Sequence, residues 1–505
     1  MLPRARSTLY EAGEAVAESH RCNYKAVGAR GDRGEQAGQR AGSPSPAGPL
    51  SRSAGFRAVS LFSNCGAGDF GFRQAGFSFD VMAELEKRRL DVALLNHPRA
   101  IGVPGDLRDT WREVIRTYYG IAGAEQPALL AACPPCQGVS SARGRRGLEH
   151  DADAGSRDHR NLLVVVIAEV ARALRPRVVV VENVPAFLTR QVRHPETDEG
   201  ISAAVLLIES LANDYVAFPL LTDLADYGVP QTRKRAFLTL IRRSEPGLKW
   251  LQVHGRAPYP RPTTPAIPDG RGHRTLGEAL TELGAAALDA GDETTARDLA
   301  GNPMHFVPVW NDRRYRMVAA IPPDTGASAW QNDQCEQCGP VAVDGKDATC
   351  PECGEPLLRP VVQQEDRTWR LISGFQTSSY TRMRPDRPAS TITTASGRIG
   401  SHRTIHPSQH RLLSILECSH LQTFPNDFKW GDALDRWGAM HVRAMIGEAV
   451  PPRFTRQHGH VLTRLLRHYQ ATRTILVNDK RVSKARKTLD LQQGRQGRLE
   501  LRAGP

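Results

Sequence analysis

Apolar positions along the chain fall into two patterns. RAVSLF (57–62), FDVMAE (79–84), PALLAAC (127–133), RVVVVEN (177–183), YVAFPLLT (215–222) and RAFLTLIR (235–242) are short, nearly continuous apolar runs. Runs of that length, several of them rich in β-branched residues, predict strands buried on both faces. NLLVVVIAEVARAL (161–174) and AVLLIESLAND (204–214) instead repeat their apolar positions at helical spacing. Further helices are expected before Gly76 and after Glu84. Strands alternating with helices predict an α/β fold: a Rossmann-like, doubly wound, mostly parallel sheet covered on both faces.

The alternation stops near residue 250. Residues 251–390 are rich in Pro and Gly and contain two CxxC pairs, which predicts a smaller irregular unit. Helical periodicity returns in RLLSILECSHLQTF (411–424) and FTRQHGHVLTRLLRHY (454–469). The expected organisation is therefore an α/β unit over 56–250, an insert over 251–390 and a return to the first unit over 391–470. Residues 1–55, rich in Gly, Ala, Ser and Arg, are expected to be a disordered leader, and 471–505 a basic tail. That tail can touch phosphates or simply be solvated. No internal repeat is found.

Charge narrows the partners. The 505 residues hold 67 Lys+Arg against 54 Asp+Glu, a formal net charge of +13. Nucleic acid is the first expectation for such a balance, beside a merely soluble basic protein. No apolar run approaches the ~18 residues a membrane span needs, and the start lacks the apolar core of a secretory signal. Most of the nine cysteines lie in CxxC pairs. Without an export signal this predicts a reducing compartment, with cysteines used for metal binding or catalysis.

Four stretches carry candidate chemistry. The first is the turn SLFSNCGAGDFGF (60–72), where glycines let backbone approach a nucleotide-like ligand at the carboxyl edge of the sheet. Glu84 ends the second strand, where a carboxylate can hold ribose hydroxyls, and Asp106 ends the third, where it can accept from an adenine amino group. Each alone also reads as a helix cap or a surface acid. Together they suggest a cofactor containing adenosine.

The second stretch is ACPPCQGVSS (132–141). A redox CxxC is followed by a helix, whereas the residues after this one are polar and glycine-rich. A zinc half-site needs a nearby partner pair, and the other CxxC pairs lie about 200 residues away and complete each other. One nucleophile remains: Cys136, aimed out of the strand end by two prolines, with Cys133 packed in the strand. The third stretch, VVVVENVPAFL (178–188), strands Glu182 and Asn183 at the end of a buried strand, a costly place for an idle carboxylate. A thiolate beside a desolvated carboxyl able to carry a proton suits addition to a ring with a protonatable nitrogen. The fourth is ADYGVPQTRKRAF (225–237), where Gln231, Arg233 and Arg235 alternate and so share one face of a strand. Two guanidiniums there read as holders of phosphate or base, or as a solvated edge.

These runs, with GDLR, RPASTIT (387–393), RLLSILECSHLQTFPNDF (411–428) and IGEAVPP (446–452), stand in the order found in DNA cytosine-5 methyltransferases, and the chain resembles that family over most of 57–460. The resemblance implies a class I fold dependent on S-adenosylmethionine, and extrusion of the target cytosine from double-stranded DNA. It implies attack of Cys136 on C6 of the ring, with Glu182 contacting N3 and the exocyclic amine. Arg233 and Arg235 would hold the flipped nucleotide, and Gln137, Asn183 and Gln231 would contact substrate. Phe62, Gly66 and Gly68 would join Glu84 and Asp106 around the cofactor. Arg143, Arg145 and Arg146, in the segment after Cys136, would close over DNA. The sequence departs from the family pattern at Ser60, Asn64, Ala67 and Glu448. Asn tolerates a left-handed backbone, which suits Asn64. Glu448 puts the contact made by its position in doubt.

In this family the insert reads the DNA sequence. Here it carries CEQC (335–338) and CPEC (350–353), 11 residues apart, the spacing of a zinc ribbon with Cys335, Cys338, Cys350 and Cys353 as ligands to a structural Zn²⁺. Disulfides are the alternative. The ribbon either touches bases or props the insert, with scaffold the preferred reading. Trp310, Arg313, Arg314, Tyr315 and Trp330 are candidates for DNA contact or for local core. The function expected is methylation of cytosine in a bacterial restriction-modification or phage-defence system, in the cytoplasm at the nucleoid, with any restriction or defence partner a separate protein. A tRNA cytosine-5 methyltransferase and a non-catalytic DNA-binding subunit are the alternatives.

Overall fold

The computed structural model describes residues 55–135, 163–264, 272–299, 301–376, 378–468 and 470–493. The expected leader falls outside them save for its last residue.

The apolar runs form a seven-stranded sheet. Its strands are β1 (Phe56–Leu61), β2 (Phe77–Glu84), β3 (Ile101–Pro104), β4 (Leu129–Ala132), β5 (Val178–Asn183), β8 (Tyr215–Asp223) and β9 (Lys234–Arg242), in the order β3-β2-β1-β4-β5-β9-β8. Between β5 and β8 a small hairpin, β6 (Gln191–Arg193) with β7 (Gly200–Ser202), stands apart from the sheet. Strands β1 to β5 pair in parallel, and β9 runs antiparallel to both β5 and β8. Helices α1 (Ala67–Gln74), α2 (Lys87–Asn96), α3 (Leu107–Ala122), α4 (Leu163–Leu174) and α5 (Ala203–Leu211) cover the faces. Period-two alternation divides each strand between two cores: Val179 and Val181 of β5 enter one, Val178 and Val180 the other. Each fully buried valine contributes about 1.5–3 kcal/mol by leaving water, which is why a run of four fixes β5 in mid-sheet.

Beyond β9, helix α6 (Pro246–Val253) leads into β10 (Arg256–Pro260). Tyr259 of β10 accepts the Thr239 backbone N–H at 3.1 Å from β9, so the sheet unit runs past the boundary expected at residue 250. The insert holds α7 (Leu276–Leu283), α8 (Asp312–Ala319) and two hairpins, β11 (Gln334–Cys335) with β12 (Gly339–Pro340) and β13 (Val361–Gln363) with β14 (Trp369–Leu371). Its core is shared with the segment that follows: Trp310, Val318 and Ile321 are buried together with Ile405 and Leu412, past the boundary expected at residue 390. Of the aromatic DNA-contact candidates, Trp310 is thus core, and the indole N–H of Trp330 is taken by the Ser379 carbonyl at 2.9 Å.

The chain returns through α9 (Ile415–Leu421), α10 (Ala433–Glu448) and α11 (Pro452–Leu466). Ser414 and Glu417 form a reciprocal capping box that starts α9. Helix α11 lies so close on α1 that a Cβ at Gly71 would collide with Thr455 Oγ1 and the Pro452 carbonyl. The terminal segment corrects the expected tail. Residues 474–476 form β15 (Thr474–Leu476), antiparallel to β10, and 480–493 form α12 (Lys480–Gln493). Val482, Ala485 and Leu489 of α12 are buried in the sheet cores. Among the described residues no helix is long and apolar enough to cross a membrane.

Candidate active site

The carboxyl ends of β1, β2, β4 and β5 converge, as parallel strands require, and carry most of the residues singled out above. Three residues of the first turn take left-handed angles: Phe62 (φ 57°), Asn64 (φ 48°) and Gly66 (φ 74°). The asparagine does what its side-chain chemistry permits. Its backbone N–H donates to Glu84 Oε2 at 2.9 Å, and its side-chain amide donates to the Met445 carbonyl at 2.9 Å. The turn is thereby held between the end of β2 and the end of α10.

Glu84 is buried, and its second oxygen accepts the Glu86 N–H at 3.2 Å. Burial raises its pKa against those two N–H bonds and nearby Arg89. A carboxylate so fixed keeps lone pairs for two ribose hydroxyls. Asp106 is engaged differently. It caps α3 through the Arg108 N–H at 2.9 Å and pairs with the Arg108 guanidinium at 2.6 Å, which lowers its pKa. The cap reading of this residue therefore holds, and an adenine amino group would share the carboxylate with Arg108.

At the end of β5, Glu182 is 8% exposed and Arg235 Nε donates to its Oε1 at 2.8 Å. Asn183 is buried, and both ends of its side-chain amide are taken by backbone. Its side-chain amide donates to the Pro134 carbonyl at 3.0 Å and its oxygen accepts the Val184 N–H at 2.8 Å. The predicted substrate contact of Asn183 is corrected to a brace: it fixes the two prolines through which the chain leaves β4. Cys136 and Gln137, and with them Arg143, Arg145 and Arg146, lie outside the described residues. Cys133 is described, half-buried, and faces Glu182 and Asp69. Burial, then those two carboxylates, push its thiol well above the ordinary range, so it stays protonated.

Of Gln231, Arg233 and Arg235, only Arg235 stands on β9; Gln231 and Arg233 precede the strand and are buried, so the strand face expected for all three is not formed. Gln231 is 0% exposed: its amide donates to the Leu421 carbonyl at 3.0 Å and its oxygen accepts the Ile392 N–H at 3.1 Å. Arg233, 1% exposed, donates to the carbonyls of Ile392 (3.1 Å), Gly447 (2.9 Å) and Ala449 (2.9 Å). The expectation that they contact the flipped nucleotide is corrected. They fasten the start of β9 to RPASTIT and IGEAVPP, whose backbone carbonyls lack regular partners.

Two features escaped the sequence reading. Asp69, buried in α1, accepts from Ser60 Oγ at 2.8 Å, and burial pushes its carboxyl up to about 7. Its polarity within an apolar turn was the available signal. Glu448 ion-pairs with Arg89, which also reaches Glu86 at 3.2 Å. The residue that departs from the family pattern thus ties α10 to α2 beside Glu84.

In the insert the sulfurs of Cys335, Cys338, Cys350 and Cys353 all lie within 4.8 Å of one another. Cys335 and Cys353 are 3.5 Å apart, beyond a disulfide bond, and all four are free. Sulfurs tetrahedral about zinc at ~2.3 Å stand roughly 3.8 Å apart, so the cluster fits that ion.

The family model for C-5 cytosine-specific DNA methylase matches residues 56–463. Type II methyltransferase M1.HgaI of Avibacterium volantium is 27% identical over 405 residues, covering 78% of this chain and 94% of its own. Type II methyltransferase M.XorII of Xanthomonas oryzae pv. oryzae is 25% identical over 420 residues, covering 81% and 85%. Among solved structures, the Entamoeba histolytica methyltransferase EhMeth aligns at a TM-score of 0.45 and 11% identity, covering 82% of this chain and 98% of its own. The match over most of the chain, on a sheet whose carboxyl edge gathers Glu84, Glu182 and Arg235, makes this protein a member of the C-5 cytosine-specific DNA methylase family, an S-adenosylmethionine-dependent DNA cytosine methyltransferase.

Proposed function

We propose that the chain methylates C5 of cytosine in duplex DNA through a transient bond between Cys136 and C6 of an extruded base. The Arg235–Glu182 pair carries this reading: a carboxylate at the buried end of β5, held by a guanidinium at 2.8 Å, beside the strand end that leads into Cys136. An aromatic pyrimidine is not nucleophilic at C5 until a group adds at C6, and a thiolate is suited to that addition. Glu182 bonds N3 and the exocyclic amine and offsets the charge that the addition places on the ring. Arg235 keeps Glu182 in place and borders the base. Asn183 aims the chain by bracing Pro134. Phe62, Gly66 and Gly68 line the cofactor, Glu84 takes its ribose hydroxyls, and Asp106 its adenine edge. S-Adenosylmethionine supplies an electrophilic methyl group when bound.

The test is transfer of label from S-adenosylmethionine with purified protein. Duplex DNA is expected to acquire 5-methylcytosine at one short sequence, mapped by bisulfite sequencing. Label in tRNA alone, or in neither polymer, overturns the reading. Relatives that are type II methyltransferases support a place in a restriction-modification or phage-defence system, acting in the cytoplasm at the nucleoid with separate partner proteins.

The four-cysteine cluster is proposed to hold one structural Zn²⁺. Arg313 donates to the Leu357 carbonyl at 2.8 Å and pairs with Glu336 at 3.1 Å, joining α8 to the ribbon. A closed thiolate site leaves no open position for catalysis. Metal analysis is expected to find one zinc per chain. Stripping it, or making Cys350→Ser, is expected to open the segment around 334–358 to proteolysis while cofactor affinity stays within about twofold, because binding and local folding are one equilibrium in such sites. A metal-free preparation equally resistant to protease would refute the assignment.

A further inference from the structure

We infer that α12 is a DNA-phosphate contact that this chain adds beyond the family core. The family match ends at residue 463, so nothing in it assigns a role to residues 480–493. Helix α12 crosses the open edge of the sheet at β8. Val482 enters the core on one face of the sheet, and Ala485 and Leu489 enter the core on the other. Covering an edge strand is one purpose of such a helix, and the buried side suffices for it. The opposite side shows something more. Lys480, Lys484 and Lys487 are exposed and spaced i, i+4, i+7, which stacks three ammonium groups along one outward stripe. Among the described residues none of the three has an ion-pair partner, and Asp490 is the one acid exposed along the helix.

Its position in the fold makes the stripe relevant to DNA. Arg481 anchors the start of α12 to Asp226 through Nε at 2.9 Å, and Asp226 lies in the turn that leaves the carboxyl end of β8. Near the other end, Gln191 donates to Gln492 Oε1 at 2.8 Å, and Gln191 follows closely on β5 and Glu182. Because β8 and β5 both run antiparallel to β9, those two anchors lie off the same edge of the sheet as the active site. A base reaching Glu182 must come from a duplex lying on that edge. Phosphates flanking the target then pass within reach of flexible lysine side chains, which act as point charges without reading bases. The inference rests on duplex DNA being the substrate.

The test is the salt dependence of DNA binding by the full chain. Each lysine–phosphate contact releases counterions and adds about 0.9 to the slope of log Kd against log salt. K480Q/K484Q/K487Q, which keeps helix propensity, is expected to lower the slope by about 2–3 and raise Kd at least several-fold at moderate salt. The Kd of S-adenosylmethionine, the thermal midpoint and kcat at saturating DNA should not change. K480R/K484R/K487R should retain the parent slope, and Lys249→Gln, on α6 at the opposite edge, should leave it unaltered. An unchanged slope in the glutamine triple variant, with DNA methylation intact, overturns the role of α12 alone. Absence of DNA methylation in the parent protein overturns the underlying reading instead.

Discussion

Duplex DNA with 5-fluorocytosine at the target position is expected to trap the parent protein and Cys133→Ser as covalent complexes, and to leave Cys136→Ser untrapped. Normal turnover ends when a base removes the C5 proton and the thiolate departs; fluorine at C5 cannot leave in that way, so the ring stays bonded to sulfur. The two cysteines are separated by Pro134 and Pro135 alone, and chemistry distinguishes them. Cys133 sits at the end of β4, where burial and two carboxylates hold its thiol protonated, and a thiol is a poor nucleophile. Cys136 lies past the proline pair that Asn183 braces. Its replacement by serine is expected to lower kcat by at least about 10⁴-fold, since loss of a covalent nucleophile leaves only binding and charge stabilisation. Trapping by Cys136→Ser, or its loss in a well-folded Cys133→Ser, would move the nucleophile to the other sulfur. Denaturing gel mobility of the DNA reads the outcome, with the fluorinated base placed at the cytosine that bisulfite sequencing identifies.

What the sequence disclosed follows from how local its signals are. A run such as VVVV can be satisfied in one way, between two other strands, so β5 and its neighbours were legible and Glu182 with them. The left-handed angle of Asn64 was legible because it depends on a single residue. Gln231 and Arg233 show the limit of periodicity. Alternation fixes a shared face only on a strand, which here begins at Lys234, and the backbone groups that Gln231 and Arg233 serve belong to residues 392–449, far along the chain. Asp106 offered two chemically sound roles, and its cap and its pairing with Arg108 depend on how the chain folds back after β3. Helix α12 was obscured by composition: three apolar residues among many Lys and Arg are enough to bury one side of a helix against an existing sheet edge, although too few to announce it. The pairing of Arg89 with Glu448 joins residues more than three hundred positions apart and leaves no local signature at all.

The second large effect is expected at Glu182. Glu182→Gln keeps the shape and much of the hydrogen-bonding capacity and removes the carboxyl group's acid–base chemistry. It is expected to lower kcat by about 10²–10⁴-fold, the usual range for a positioned acid–base group, with trapping on fluorinated DNA slowed in parallel because addition at C6 itself needs the ring nitrogen stabilised. Lost activity alone would not separate this role from misfolding, since removing one member of a largely buried ion pair leaves the other uncompensated, at a cost of up to about 3–5 kcal/mol. Arg235 supplies the control. Side-chain exposures of 10% for Glu182 and 13% for Arg235 mean that either single substitution should lower the thermal midpoint, whereas Glu182→Gln combined with Arg235→Gln should recover part of that loss by removing both charges. Activity should not recover with it. A double variant that regains stability and catalysis together would mean that the pair only supports the fold. One that regains stability while kcat stays down would locate the chemistry in the Glu182 carboxylate, with Arg235 as the group that holds it in place.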